Sequence, residues 1–219
     1  MASKCNDIFI IGAGGFAREV LCIIDRVNNY SGNLCWRFRG FVDLIDNNDY
    51  FGYPVISDDQ LLNRDSPIYV VVAIGNPVIR SNLLKRYSGY DHVLYPNLID
   101  PAVLMLNPDR ISFGKGNILC AGSILTTDIQ LGSYNIINLS CTVGHDTVLG
   151  DNNVINPTVN ISGEVNIGNN CLIGTGAKIL QQLSIGNNAV VGAGAVVIKN
   201  VSASSTVVGV PAKPVIKGN

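Results

Sequence analysis

The spacing of hydrophobic positions along this chain changes rule near residue 100. Before that point, apolar runs of strand length alternate with segments of helical spacing. "DIFIIGAGG" reads as a strand running into a glycine turn, and "FAREVLCIIDRV" puts Val20, Ile23, Ile24 and Val27 on one helical face. "WRFRGFVD" alternates as a strand does, and "SDDQLLNR" opens on Ser57, a residue type suited to an N-cap. "PIYVVVAIGN" is the continuous β-branched run of a buried parallel strand. "PVIRSNLLKRY" begins with a proline suited to a first helical turn. The β-α-β-α order predicts a small α/β domain with a parallel, Rossmann-like sheet over residues 1–100.

From about residue 113 onward the apolar period is six. Every sixth position is aliphatic or aromatic: Phe113, Leu119, Leu125, Leu131, Ile137, Val143, Leu149, Ile155, Ile161, Ile167, Ile173, Ile179, Ile185, Val191 and Val197. At 47% hydrophobic residues, such a run of fifteen arises by chance in one frame with a probability on the order of 10⁻⁵. Glycine follows the ladder residue at 132, 144, 150, 168, 174, 186 and 192, where a turn is expected to need its backbone freedom. Neither a helix nor a strand has period six. The repeat marks a β-helix, in which each hexad supplies one short strand and one corner. Three hexads close a triangular coil, so residues 101–219 are expected to form roughly five coils on an aliphatic interior, followed by a tail.

Composition narrows the function. A chain of 219 residues holds one or two domains and can bury a substantial core. A net charge of −1 with 14% charged residues gives no basic field, so nucleic acid is not an expected partner. The N-terminus carries Asp7 ahead of its apolar run and glycines after it, unlike a signal peptide, and the longest apolar runs are far short of a membrane span. Cys5, Cys22, Cys35, Cys120, Cys141 and Cys171 show no C-x-x-C pair, and are read as reduced thiols of a cytoplasmic protein.

The hexads, the "GHD" embedded in them and the C-terminal "VVGVPAK" resemble the hexapeptide-repeat acyltransferases, which form left-handed parallel β-helices. Handedness comes from that resemblance, since parallel crossovers are otherwise right-handed. "IIGAGGFAREV", "GFVD" and "AIGNPVIR" are similar to the branch that N-acetylates nucleotide-linked amino sugars or O-acetylates sialic acid. The resemblance runs from about Asp7 to Lys213.

"GAGGFA" fits G-x-G-x-x-A through Gly12, Gly14 and Ala17, putting bare backbone N–H groups at a strand–helix junction where phosphate can bind. A dinucleotide site is opposed by the domain's size and by Asp43, some thirty residues past Gly12 where about twenty is usual. Tight strand–helix packing alone is the bland alternative. The resemblance implies a sugar nucleotide near Gly14, Gly15 and Phe16, with Asp43 by its base or ribose and Gly75 and Asn76 in the next loop. Phe16 departs from members that carry histidine there, and cannot donate a hydrogen bond.

Between Asn117 and Val197 the only charges are Asp128, Asp146, Asp151, Glu164 and Lys178, and there the pair His145–Asp146 stands out. Val143 faces inward, so His145 should face outward. A solvated surface histidine is the plain reading; the functional one is a general base, since imidazole titrates near neutrality. Asp146 can orient it only if a corner turns the carboxylate back, because neighbours on a flat strand point apart. The resemblance implies direct acyl transfer from acetyl-CoA, His145 taking the amine proton, Gly163 N–H holding the oxyanion and Asn138 near the reacting groups. It places Gly163, Thr175 and Ala193 along the pantetheine, and Lys213 where its cation could meet phosphate. Cys141, at a small-residue position, reads as a buried hydrophobe and not a nucleophile. Zinc sites in related folds use three histidines, and this chain has only His92, read as structural, and His145.

The resemblance implies a homotrimer with acyl-CoA between adjacent prisms. The leading expectation is an N-acetyltransferase acting on a nucleotide-linked amino sugar of the 4-amino-4,6-dideoxyhexose kind. A sialic-acid-type O-acetyltransferase is the alternative, and a non-catalytic scaffold the third.

Overall fold

The computed structural model describes residues 5–31, 36–43, 49–64 and 66–215. The first four residues of the N-terminal stretch and Cys35 lie outside them. The α/β unit runs β1 (Asn6–Ile11), α1 (Gly15–Ser31), β2 (Trp36–Val42), β3 (Asp49–Tyr50), β4 (Tyr53–Ile56), α2 (Asp58–Leu62), β5 (Ile68–Val72), α3 (Pro77–Tyr87) and β6 (Val93–Leu94). Its sheet has the order β3-β4-β2-β1-β5-β6, parallel except for the β3–β4 hairpin. Ser57 caps α2 through a reciprocal capping box with Gln60. Pro77 sits in the first turn of α3. Val20, Ile23, Ile24 and Val27 of α1 are all buried. β2 alternates only as far as Arg39; a register shift opposite Ile8/Phe9 then leaves Gly40, Phe41 and Val42 buried in succession.

The hexads build a triangular prism of parallel strands. Face one carries Leu98–Ile99, Ile118–Leu119, Ile136–Ile137, Val154–Ile155, Leu172–Ile173, Val190–Val191 and Thr206–Val208. Face two runs from Leu104–Met105 to Val196–Val197, and face three from Ile111–Phe113 to Ser184–Ile185. Partners such as Leu119 and Ile137, Val143 and Ile161, or Leu149 and Ile167 are one coil apart. From Leu119 to Val197 the ladder is buried in a single cluster.

Two expectations change. The prism is longer than five coils, because Leu98, Leu104 and Ile111 begin an extra one. Its ladder residues Ile99 and Met105 fall outside the hexad frame because the 3₁₀ turn Pro108–Arg110 lengthens the step to Phe113. The seven ladder-following glycines do not serve turns: none has positive φ. They admit the next coil. A Cβ on Gly144, for example, would stand 2.6 Å from Gly163 N. The left-handed corners lie elsewhere in the hexad: every sixth residue from Gly116 to Gly194 has φ between 56° and 75°, and most are not glycine.

Outward residues Ile118, Ile136 and Val154 of face one pack in one cluster with α1 and β1, so the first coils of this face are covered by the chain's own α/β unit, while Val208 on its last strand is exposed. Arg26 of α1 makes a two-pronged pair with the buried Asp100, at 2.6 and 3.0 Å. Buried Asn117, Asn135 and Asn153 stack at the corner between faces three and one, each side-chain oxygen accepting the next coil's backbone N–H at 2.7–2.9 Å. Among the described residues no helix is long and apolar enough to cross a membrane.

The reduced-thiol reading holds for Cys22, Cys120, Cys141 and Cys171, which are free. It fails for Cys5, which is disulfide-bonded. C-x-x-C spacing does not reveal such a bond, because a disulfide requires proximity in space and not along the chain.

Candidate active site

At the C-terminal edge of the sheet, Gly12 takes φ 101° and its N–H donates to Val42 O at 2.8 Å. Ala13 N–H donates to Asp43 Oδ2 at 2.8 Å, so Asp43 itself shapes the glycine loop. Gly14 and Gly15 are exposed where the 17-residue α1 begins, and its unpaired N–H groups and dipole favour an anion there. Gly75 and Asn76 are exposed after β5. Asn76 caps α3, its Oδ1 accepting from Val78 N and Ile79 N at 2.9 and 3.1 Å. The six residues expected on the acceptor side therefore gather at one sheet edge, as ligand sites of open parallel sheets do.

Phe16 and Gly75 face the prism across a cleft of about 220 Å³, opposite Asn138, Asn156 and Pro157. Glu19 of α1 also lines it. Asn138 Oδ1 accepts Leu139 N–H at 2.7 Å. Asn138, Thr175 and Ala193 each follow a face-one strand (Ile136–Ile137, Leu172–Ile173 and Val190–Val191), with Val154–Ile155 between the first two, so all three lie along the corner between faces one and two. The tail closes that corner: Lys213 pairs with Val208, and Ala212 N donates to Val196 O at 2.8 Å.

His145 and Asp146 lie at the next corner, between faces two and three. Asp146 is one of the left-handed residues, with φ 56°, and this turns its carboxylate back onto the ring: Nδ1 and Oδ2 are 2.8 Å apart. A carboxylate at Nδ1 favours the tautomer protonated there and leaves Nε2 able to accept a proton. Both side chains are more than half exposed, at 55% and 60%. The ring lies against Gly163 of the following coil, where a Cβ would stand 2.5 Å from its Cε1 and Nε2. Among the described residues nothing accepts the Gly163 N–H. Arg110 pairs with Asp128, which holds the left-handed corner one coil before Asp146. Together with Asp146 they edge a cleft of about 580 Å³ on the face-three side.

Within one chain, then, the predicted residues form two columns separated by face two. Asn138, Thr175, Ala193 and Lys213 share a corner beside the acceptor cleft; His145, Asp146 and Gly163 share the other. Glu19, Asn156, Pro157, Arg110 and Asp128 escaped the sequence reading. For Asp128, its spacing of 18 from Asp146 was a readable signal.

Cys141 is fully buried, its Sγ 3.1 Å from Asn156 O, and burial pushes its thiol up to about 11. That is the wrong direction for a nucleophile. Among the described residues no group of three or more His, Cys, Asp or Glu is placed to hold a metal. His92 O accepts Ile68 N–H at 2.9 Å, and its ring meets Tyr90 edge-on.

A triangular prism of hexads, with an oriented imidazole on one corner and an α/β unit on one face, defines a hexad β-helix protein with an appended α/β domain. The PglD N-terminal domain model matches residues 7–87, and the bacterial transferase hexapeptide model matches residues 164–199. The acetyltransferase domain of PglB from Neisseria gonorrhoeae, in complex with acetyl coenzyme A, is 30% identical, with 97% of this chain and 100% of that one covered and a TM-score of 0.86. WeeI from Acinetobacter baumannii is 32% identical over 95% and 99%, with a TM-score of 0.84. A perosamine N-acetyltransferase variant from Caulobacter crescentus, in complex with CoA and GDP-perosamine, is 28% identical over 99% of each chain, with a TM-score of 0.86. No curated protein matches. The chain belongs to the left-handed β-helix, hexapeptide-repeat acyltransferases, in their branch of acetyl-CoA-dependent sugar acetyltransferases.

Proposed function

We propose that this chain transfers the acetyl group of acetyl-CoA to the amine of a nucleotide-linked amino sugar, of the 4-amino-4,6-dideoxyhexose kind, within a homotrimer. The observation that carries the reading is the His145–Asp146 pair seated over Gly163, whose N–H is left free. The sugar nitrogen attacks the thioester carbonyl, and His145 Nε2 takes the proton that nitrogen must lose. Gly163 N–H holds the oxyanion. The C–S bond then breaks, and the imidazolium returns its proton to the departing thiolate, so base and acid are one residue. Asp146 keeps the ring in its tautomer and stabilises the imidazolium.

Residues 1–100 hold the acceptor: Gly14 and Gly15 its phosphates, Asp43 the ribose or base side, and Phe16, Gly75 and Asn76 the sugar end. Residues 101–219 hold the donor, with Thr175 and Ala193 beside the pantetheine, Lys213 toward phosphate, and Asn138 facing the reacting groups. The Caulobacter relative's complex with CoA and GDP-perosamine supports this pairing of ligands. Assembly follows from the two columns. The α/β unit covers the first coils of face one, so packing face two around a common axis sets the His145 corner of one copy against the Asn138 corner of the next. The reaction is assigned to the cytoplasm, where acetyl-CoA is made, ahead of surface-glycan assembly.

Titration calorimetry with UDP-, dTDP- and GDP-linked 4-amino sugars, then thiol release with acetyl-CoA, tests the acceptor; binding of none ends the assignment. His145→Ala is expected to lower kcat by about 10²–10⁴-fold with an unchanged melting temperature. Undiminished turnover would remove the base.

A further inference from the structure

Arg80, on α3, is 1% exposed, and among the described residues no carboxylate answers it. Burial alone pushes its guanidinium down to about 9. Burying a charge without a counter-charge is costly, and an apolar side chain often packs as well or better in such a place. The donors must therefore have a task. Nε donates to Asn152 Oδ1 at 2.6 Å, Nη2 to Asn153 O at 3.1 Å and Nη1 to Ile74 O at 3.5 Å. One fork of donors thus joins the loop after β5 to a corner of the prism, which a lysine's point charge cannot imitate.

The prism answers in kind. Asn152, at φ 58°, donates through Nδ2 to Pro77 O at 2.8 Å and also to Asn170 Oδ1. The first turn of α3 is held at both ends. Gly75 and Asn76 lie inside that clasp, between Ile74 and Pro77. The chain leaving Asn152 and Asn153 continues along face one into Val154, Asn156 and Pro157, which form the far wall of the cleft that Phe16 and Gly75 close. The clasp and the cleft bracket one stretch of the same coil.

We propose that Arg80 is a positioning residue for the acceptor sugar: it pins the 74–77 loop to the prism and so sets the gap between Gly75 and Asn138. This rests on the function proposed above. It acts through the loop and touches no reacting atom.

Arg80→Met keeps the bulk and removes every donor. The folded protein is retained, the amides of 74–79 exchange at least about ten-fold faster with deuterium, and KM for the nucleotide sugar rises about ten-fold or more while KM for acetyl-CoA moves less than about two-fold. Arg80→Lys recovers only part of the difference. Asn152→Gly, which tolerates the left-handed corner, opens the clasp from the other side and gives the same selective rise; it decides the matter if Arg80→Met does not fold. Equal changes in both KM values, or no change together with unaltered exchange of 74–79, overturn the proposal. A wild-type protein that acetylates no nucleotide-linked amino sugar sinks the proposed function instead, and the exchange comparison still tests the pin.

Discussion

A methyl group added at Gly163 probes the seating of His145 directly. The new Cβ would stand 2.5 Å from Cε1 and Nε2 of the ring and 2.9 Å from Cδ2. Non-bonded carbons settle at about 3.5–4.0 Å, so the ring must retreat by about 1 Å. Gly163 is not among the positive-φ glycines, so alanine brings no backbone strain of its own. The ring is 55% exposed and can swing into solvent, so its retreat is the cheap response. The folding cost is expected to stay below about 1 kcal/mol, which lowers Tm by no more than about 2–4 °C. Catalysis is far less forgiving. A misplacement of about 1 Å costs on the order of 10²-fold, and that is the expected loss in kcat for Gly163→Ala, with KM for acetyl-CoA nearly constant. Thiol release at saturating substrates, beside a thermal melt, reads both quantities. Turnover within about three-fold of wild type would refute the reasoning, because the imidazole would then not need the place described for it. A collapse of Tm with proportionate loss of folded protein would refute it differently, by showing that the glycine serves coil stacking.

Three further outcomes follow from the packing and charge. In the native protein a thiol reagent labels exposed Cys22 and spares buried Cys120, Cys141 and Cys171, and Cys141→Ala keeps wild-type kcat; a lost burst of acyl transfer in that variant would revive a covalent mechanism. Burial raises the Asp100 carboxyl, but the hydrogen bonds from Arg26 and Ala102 N–H outweigh it and the net shift is downward. Its contribution is therefore complete above the ordinary carboxylate pKa of about 3.9 and disappears as pH falls through the lower folded value. Melts between pH 5 and pH 2 should lose stability more steeply in wild type than in Asp100→Asn, and parallel curves would contradict the assignment. Ile155→Ala empties a fully buried rung of the ladder and should cost about 2–5 kcal/mol in denaturant unfolding; a cost under about 1 kcal/mol would mean the interior is loosely packed.

The hexad rule made the prism legible before any coordinates, because an inward residue every sixth position is a strictly local requirement that each coil repeats. The alternation of strands and helices before residue 100 was legible for the same reason. So was the chemistry on offer: one outward imidazole next to one acid in a stretch almost without charge. Composition could not reveal the extra first coil, since the 3₁₀ turn Pro108–Arg110 moves Ile99 and Met105 out of frame. Spacing likewise misread the glycines, which clear room for the neighbouring coil while asparagine, aspartate and others take the left-handed corners.

What the amino-acid order determined by itself was therefore periodic or local: the fold class, the inward ladder and the residue types able to move a proton. Contacts between distant segments were decided only in three dimensions. The left-handed φ of Asp146 turns a neighbour that should point away into a partner of His145. Arg80 finds Asn152, Asn153 and Ile74 through a corner 72 residues along the chain, and no periodicity encodes such a meeting, because its free energy exists only once both surfaces are already built.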